Sequence, residues 1–279
     1  MQKSRKFEPL QYLLLIGFFL FIITPFLWLL YSSFRFETNM FSGEIMKNIG
    51  GFTFENYKDV IGAGPSGQFV TYFKNSLIIA VISTFCVMAI SIFAAYALSR
   101  FPMRGKNVVI TMLLSANMFP QVLLVIPLFG ILFKIQLIDS FLGIILTHIV
   151  LGLPFSVWLV KGYFDAIPRD LDEAAQIDGL GPIKTLFLVI LPISAPGVVV
   201  SGFYAFMVSW GDFLFASIIS QSMKTQTLTI GLNKFFGSTQ VMWGPINAAV
   251  VVTIIPTVIL FAFLQKWIVE GLASGAVKG

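Results

Sequence analysis

Cysteine and histidine are almost absent from these 279 residues, with one of each, Cys86 and His148. An intrachain disulfide and a cysteine-based metal site are thereby excluded, and a histidine-rich metal centre with them. Charge is also scarce. Only 11% of residues are Asp, Glu, Lys or Arg, against about 25% in a typical soluble domain. Apolar residues make up 57%, and the mean hydropathy is +0.89. A soluble domain around one core is ruled out, and so is a disordered chain. The formal charge of +5 is not gathered into a basic stripe interleaved with aromatics, so no nucleic-acid surface is expected. No G-x-x-x-x-G-K-[S/T] loop occurs, so nucleotide chemistry would have to come from another polypeptide.

What the chain has instead is long uncharged runs. Six stretches of 21 residues or more lack Asp, Glu, Lys and Arg: 10–34, 75–99, 107–133, 140–160, 185–211 and 235–265. A spanning helix needs about 20 mostly apolar residues. Lipid accepts only helices or closed barrels, and these blocks lack the apolar–polar alternation of barrel strands. The expectation is an all-α polytopic membrane protein with six transmembrane helices. The first run exceeds the 7–15 residues of a signal-peptide core, and no small-residue cleavage site follows it, so it reads as a retained span.

The cations orient the spans. Lys3, Arg5, Lys6, Arg100, Arg104, Lys106, Lys161, Arg169, Lys184, Lys266 and Lys278 fall on one side, in short segments. Arg35, Lys47, Lys58, Lys74, Lys134, Lys224 and Lys234 fall on the other, spread over longer loops. Both termini are therefore expected in the cytoplasm. Three segments follow: residues 1–68 with the first helix and an outer loop, a five-helix core over 69–264, and a cytoplasmic tail, 265–279.

The most informative segment is 161–192, KGYFDAIPRDLDEAAQIDGLGPIKTLFLVILP, on the cytoplasmic side. Pro168 precedes a helix start. Asp170 and Glu173 have the spacing of an Asp-led capping box, and Asp172 adds charge where the helix dipole favours it. Ala174 and Ala175 favour helix. Gly179 is placed to end it, and Pro182 blocks continuation. A helix over 170–178 follows, with Leu171, Ala174, Ala175 and Ile177 as a small apolar surface beside Asp172, Glu173, Gln176 and Asp178. Alone it would be marginal in water, so something must pack on it, either its own bundle or a soluble partner.

This stretch resembles the EAA loop of permease subunits in binding-protein-dependent ABC importers. Glu173-Ala174-Ala175, then Gly179, then Leu191-Pro192 match the family pattern, with Val189 standing where Ile is usual. Gln176-Ile177-Asp178-Gly179 looks like the carbohydrate permeases. Asn117-Met118-Phe119-Pro120, Trp210-Gly211-Asp212 and the tail 271–279 look like the second permease subunit of maltose-type systems. The resemblance implies the type I ABC importer permease fold and an inner-membrane location in a prokaryote. It implies import of a carbohydrate, an oligosaccharide in particular, and no catalysis by this chain. ATP and Mg would be bound by two partner ATPase subunits, with no cofactor or metal held here. A homologous second permease and an extracytoplasmic solute-binding protein would complete the assembly. Residues 170–179 would form the ATPase-coupling element, with Glu173 pairing to a cation of the ATPase or bracing the loop. Gly275, Ala276, Val277, Lys278 and Gly279 would reach the ATPases too. Cargo such as glycerol phosphate, a polyamine or a peptide remains open, as does a passive channel.

Polar residues inside the spans are candidates for the translocation path. Asn117 and Gln121, one turn apart, would share a helical face, either holding helices together or lining a cavity. Pro192 and Pro196 disfavour one unbroken helix, which sets the fifth span near 195–220 and places Asp212 within the membrane. There it either lines the path or is a hydrogen-bonded structural acid. His148 is read as a neutral packing residue. Pro25, Pro120, Pro127, Pro154 and Pro256 are expected to kink their spans, and the tail 271–279 to be mobile.

Overall fold

A computed structural model describes residues 9–35, 51–62, 68–236 and 241–276, with side chains up to 267. Lys3, Arg5, Lys6, Lys47, Val277, Lys278 and Gly279 lie outside these. Among the described residues the fold is helical, with two isolated bridges, Arg35 to Phe52 and Phe236 to Val241, as its only β pairing. Four helices are long and apolar enough to cross a membrane: α1 (Pro9–Ser33), α3 (Phe69–Arg100), α6 (Phe141–Asp165) and the first part of α12 (Trp243–Ala276). Two bent pairs supply the other crossings, α4 (Lys106–Met118) with α5 (Val125–Lys134), and α8 (Pro182–Ile193) with α9 (Ala195–Trp210). Shorter helices are α2 (Glu55–Ile61), α7 (Asp170–Ile177), α10 (Leu214–Ile219) and α11 (Leu228–Asn233). The six uncharged runs thus correspond to six crossings.

The bends have local causes. Between α4 and α5 the chain turns by 100°. Phe119 is extended at φ −76°, ψ 129°, and Pro120 follows, because a proline ring crowds the helical conformation of the residue before it. A single 3₁₀ turn, Gln121–Leu124, then restarts the helix. Between α8 and α9 the bend is 85°, with Pro192 before it and Pro196 in the first turn after it. Within α8, Leu186–Ile190 form a π-helical turn. Pro25, Pro154 and Pro256, expected to kink their spans, sit inside continuous helices, and Pro127 sits in the first turn of α5, where a missing N–H costs little.

The chain divides into two compact units, 1–70 with 232–254, and 71–231 with 255–279. In the first, Asn56 of α2 donates to the carbonyls of Ser33 and Arg35, both at 2.9 Å, closing the open end of α1. Ser33 and Tyr57 share a hydroxyl contact of 2.7 Å. Gly244, at the start of α12, lies so close to Asn56 that a Cβ there would stand 2.5 Å from its side-chain oxygen. The apolar window of α1 buries nothing.

In the second unit α6 is the central element, with half of its apolar window buried. Two clusters hold it. Toward one end, Val160 and Phe164 pack with Ala95 and Tyr96 of α3 and Leu186 and Ile190 of α8. Toward the other, Ile144 and Ile145 pack with Ile79, Leu132, Phe215 and Ile219. Lipid tails are as apolar as these side chains, so between spanning helices close packing, rather than removal from water, holds the clusters together. Gly197 shows how close: a Cβ on it would lie 2.1 Å from the Tyr163 ring.

Two expected boundaries change. The fifth crossing stops at Trp210 rather than continuing to 220, because Gly211 and Asp212 interrupt it before α10. The last helix starts at Trp243 and continues to Ala276, so residues 271–276 are helical where small side chains led to an expected mobile tail.

Candidate functional site

The short helix α7 is built on the ends of α3 and α6. Arg169 before it is already helical, at φ −68°, ψ −22°, and no side chain caps the first turn. The expected capping box therefore does not form, since Asp170 lies inside the helix instead of ahead of it. The first-turn acid that the fold uses is Asp172. It turns inward, 9% exposed, and its Oδ2 lies 3.0 Å from Nε of Arg100. The contact is an ion pair not aligned as a hydrogen bond. The same guanidinium donates to the Ile167 carbonyl at 3.2 Å. Arg169 donates to the Ser99 carbonyl at 3.4 Å, and the Ser99 hydroxyl donates to Asp165 at 2.6 Å. Lys161 pairs with the other oxygen of Asp165. A charge-assisted network thus fastens α3, the end of α6 and the start of α7 together.

The far end of α7 is closed by backbone. Leu180 N–H donates to Ala175 O at 2.9 Å and Gly179 N–H to Gln176 O at 3.0 Å, the paired bonds of a Schellman motif. That motif needs a left-handed residue, and Gly179 has φ +79°. The Tyr96 hydroxyl donates to Pro182 O at 3.1 Å, holding α8 behind. Only Asp172 and Ala175 of α7 are buried. Leu171, Glu173, Ala174, Gln176, Ile177, Asp178 and Gly179 are exposed, Ile177 to 88%. The outcome is a rigidly mounted rod whose outer face mixes apolar and acidic groups and is uncovered by its own unit.

Asn117 and Gln121 are brought together, though not as a helical face. The 119–120 break lies between them, yet both line an open cavity of about 920 Å³ with Thr111, Ser115, Phe119 and Pro154. Asn117 also donates back to Leu113 O at 3.0 Å. No residue of α4 is buried.

Asp212 sits in the break after α9, away from that cavity. Its oxygens accept from Phe215 N–H at 3.2 Å and Ala216 N–H at 2.9 Å, capping α10. His148 Nε2 lies 3.1 Å from Oδ2, and His148 Nδ1 lies 2.7 Å from the Ser209 hydroxyl. Asp212 and Ser209 thus hold the His148 ring between them, one at each nitrogen. Thr229 donates to Asp212 O at 2.6 Å. Asp212 is therefore held by several hydrogen bonds, and His148 is packed and hydrogen-bonded.

A second junction lies outside the spans. Asp139, at φ +56°, accepts from Gln221 N–H at 3.0 Å, Ser222 N–H at 2.9 Å and the Thr225 hydroxyl. Burial pushes its carboxyl up, but these donors outweigh that and hold it down at about 2. Arg100, Ser209 and Asp139 were not singled out from sequence. Only a cation at a span end and a lone acid in a tight turn hinted at two of them. Among the tail residues, Gly275 and Ala276 end α12, and Val277, Lys278 and Gly279 lie outside the described residues.

Among the described residues, six apolar crossings, two of them broken, with a fastened short helix between the fourth and fifth, define a polytopic membrane protein. The chain belongs to the family of binding-protein-dependent transport system inner membrane components, which it matches over residues 87–274. It is 36% identical to an inner membrane ABC transporter permease protein, YcjP, of Escherichia coli, over 94% of this chain and 93% of that one. It is also 36% identical to the trehalose/maltose transport system permease protein MalG of Thermococcus litoralis, over 96% of each. The trehalose transport system permease protein SugB of Mycobacterium tuberculosis is 33% identical over 93% of each. A chain in the crystal structure of a bacterial ABC transporter involved in the import of the acidic polysaccharide alginate shares the fold. Its TM-score is 0.79 at 21% identity, covering 95% of this chain and all of that one.

Proposed function

We propose that this chain is one of two homologous permease subunits of an ATP-driven importer for a carbohydrate, an oligosaccharide in particular. In this reading it contributes half of the path, performs no catalysis, and holds no cofactor. ATP and Mg belong to two ATPase subunits, and an extracytoplasmic solute-binding protein delivers the cargo. Both termini face the cytoplasm, as the cation distribution favours. Sugar is favoured by the relatives named for trehalose/maltose, trehalose and diacetylchitobiose.

The observation that carries the reading is α7. A rod clamped by Arg100–Asp172 at one end and by the Gly179 turn at the other transmits a push as a rigid body. Its uncovered Leu171, Ala174 and Ile177 offer apolar contact, while Glu173 offers a carboxylate to a cation of the ATPase. The terminal residues 275–279 would add a second contact with the ATPases. Asn117 and Gln121 would line the path through the cavity beside α4, while Asp212 would act on it only indirectly, by holding α10.

Purification of the tagged chain from its own membranes tests this. The ATPase and a second permease should accompany the wild-type chain. Glu173→Lys, on an exposed side chain, should lose the ATPase while retaining the second permease, and ATP-dependent oligosaccharide uptake should stop. Undiminished ATPase capture by both Glu173→Lys and Gly179→Pro would overturn the coupling role.

A further inference from the structure

Where the chain turns from α3 into α4, a hollow of about 860 Å³ opens, lined among others by Phe101, Met103, Arg104, Lys106, Val108 and Arg169. Three of these are cations, and no acid is in the lining. Among the described residues, Arg104 and Lys106 make no side-chain hydrogen bond or ion pair. Lys106 lies within electrostatic reach of Asp165, but that carboxylate is already taken by Ser99 and Lys161. Arg169 reaches only the Ser99 carbonyl, at 3.4 Å. The start of α4 faces the same hollow through Gly105, Lys106, Asn107 and Val108, with no capping side chain and no acid in its first turn. It therefore adds a partial positive charge to the three whole ones.

Part of the lining is apolar. Phe101, Met103 and Val108 are 47%, 44% and 56% exposed, at the level where a long apolar helix ends and the next begins. A small soluble anion would use the cations and leave these apolar side chains bare. We infer that the hollow binds the headgroup of an anionic phospholipid. Arg104, Lys106 and Arg169 surround its phosphate, while Phe101, Met103 and Val108 lie along the start of its acyl chains. Arg169 directly precedes α7, so an occupied hollow braces the base of that rod. The inference uses the membrane reading of the spans but neither the cargo nor the ATPase contact.

The test uses the full chain purified in mild detergent, with bound lipid counted by native mass spectrometry. Phosphatidylglycerol and phosphatidylcholine of matched chains are the probes. The wild-type chain should prefer phosphatidylglycerol by about tenfold or more, since each basic residue at a membrane surface attracts anionic lipid appreciably. The combined variant Arg104→Gln, Lys106→Gln, Arg169→Gln should bind both lipids alike. Arg104→Gln and Lys106→Gln singly should each lose roughly threefold, which keeps the test available if the triple variant does not fold. Lys134→Gln with Lys224→Gln, two cations remote from the hollow, should keep the preference, and Arg104→Lys should keep most of it. Equal binding of the two lipids by wild type, or an undiminished preference in the single and triple variants, overturns the inference. So does displacement of the lipid by millimolar inorganic phosphate, which would mark a free-anion site. Loss of a co-purifying protein with lipid preference intact would mark a protein contact instead. Because lipid is read on the isolated chain, this outcome is independent of ATPase capture through Glu173.

Discussion

Arg100 and Asp172 are each about nine-tenths buried, so neither can be removed alone without leaving an unmatched charge. Asp172→Asn should lower unfolding stability by about 3 kcal/mol, read by thermal unfolding in detergent. Pairing it as Arg100→Met with Asp172→Leu should recover most of that loss, because an apolar pair of similar volume has no charge to desolvate. Additive losses in the double variant would contradict the ion-pair account. Asp139 gives a pH prediction. Its folded value is depressed to about 2 from an ordinary 3.8, so its contribution is present above the ordinary value and fades as pH falls toward 2. Wild type should therefore outlast Asp139→Asn in thermal unfolding at pH 6, and the gap should close as pH drops from about 4 to about 2. Asp139 stood in the sequence as an isolated acid, whereas Arg100 and Asp172 stood among other charges. What these charges pair with was not legible, because Arg100 and Asp172 are far apart in the chain and the partners of Asp139 at 221, 222 and 225 are more than 80 residues away.

At the scale of elements, α7 was legible almost to the residue. Its signals are local: a proline before, alanines within, a glycine after. The capping box does not form because Arg169 adopts helical angles, which puts Asp170 inside the helix. Gly179 carries a clean prediction. Nothing lies within 4 Å of a Cβ placed there, so Gly179→Ala pays only for the left-handed backbone, about 1 kcal/mol. Hydrogen exchange of the Leu180 amide, which closes the turn, should speed up while the spans keep their protection. The broken pairs were half legible. Prolines announced interruptions, but an interruption does not say whether a helix bends by 100°, as at Pro120, or stays continuous, as at Pro154. Neighbouring helices settle that, by re-satisfying or not the backbone groups that proline frees.

At the scale of the whole molecule, the chain leaves much apolar surface uncovered. No residue of α4 is buried, and the apolar window of α1 buries nothing. Lipid can cover smooth apolar faces, but α4 also presents Thr111, Ser115 and Asn117 toward an open cavity, and hydroxyls and amides gain by meeting a helix in place of acyl chains. Co-expression with the second permease proposed above should raise the unfolding temperature by about 5 °C or more and protect α4 from hydrogen exchange. An α4 already protected in the chain alone would argue that this face needs no protein partner.

The sequence by itself determined the number of crossings, the position of the short helix and the family, because each rests on neighbours in the chain: uninterrupted apolar length, turn residues and a contiguous motif. The tertiary structure alone decided which charges are inside and which face outward. Asp172 went in and Ile177 went out, against their usual preferences, because the clamp to Arg100 could form only once α3 and α6 had delivered their ends to the same place.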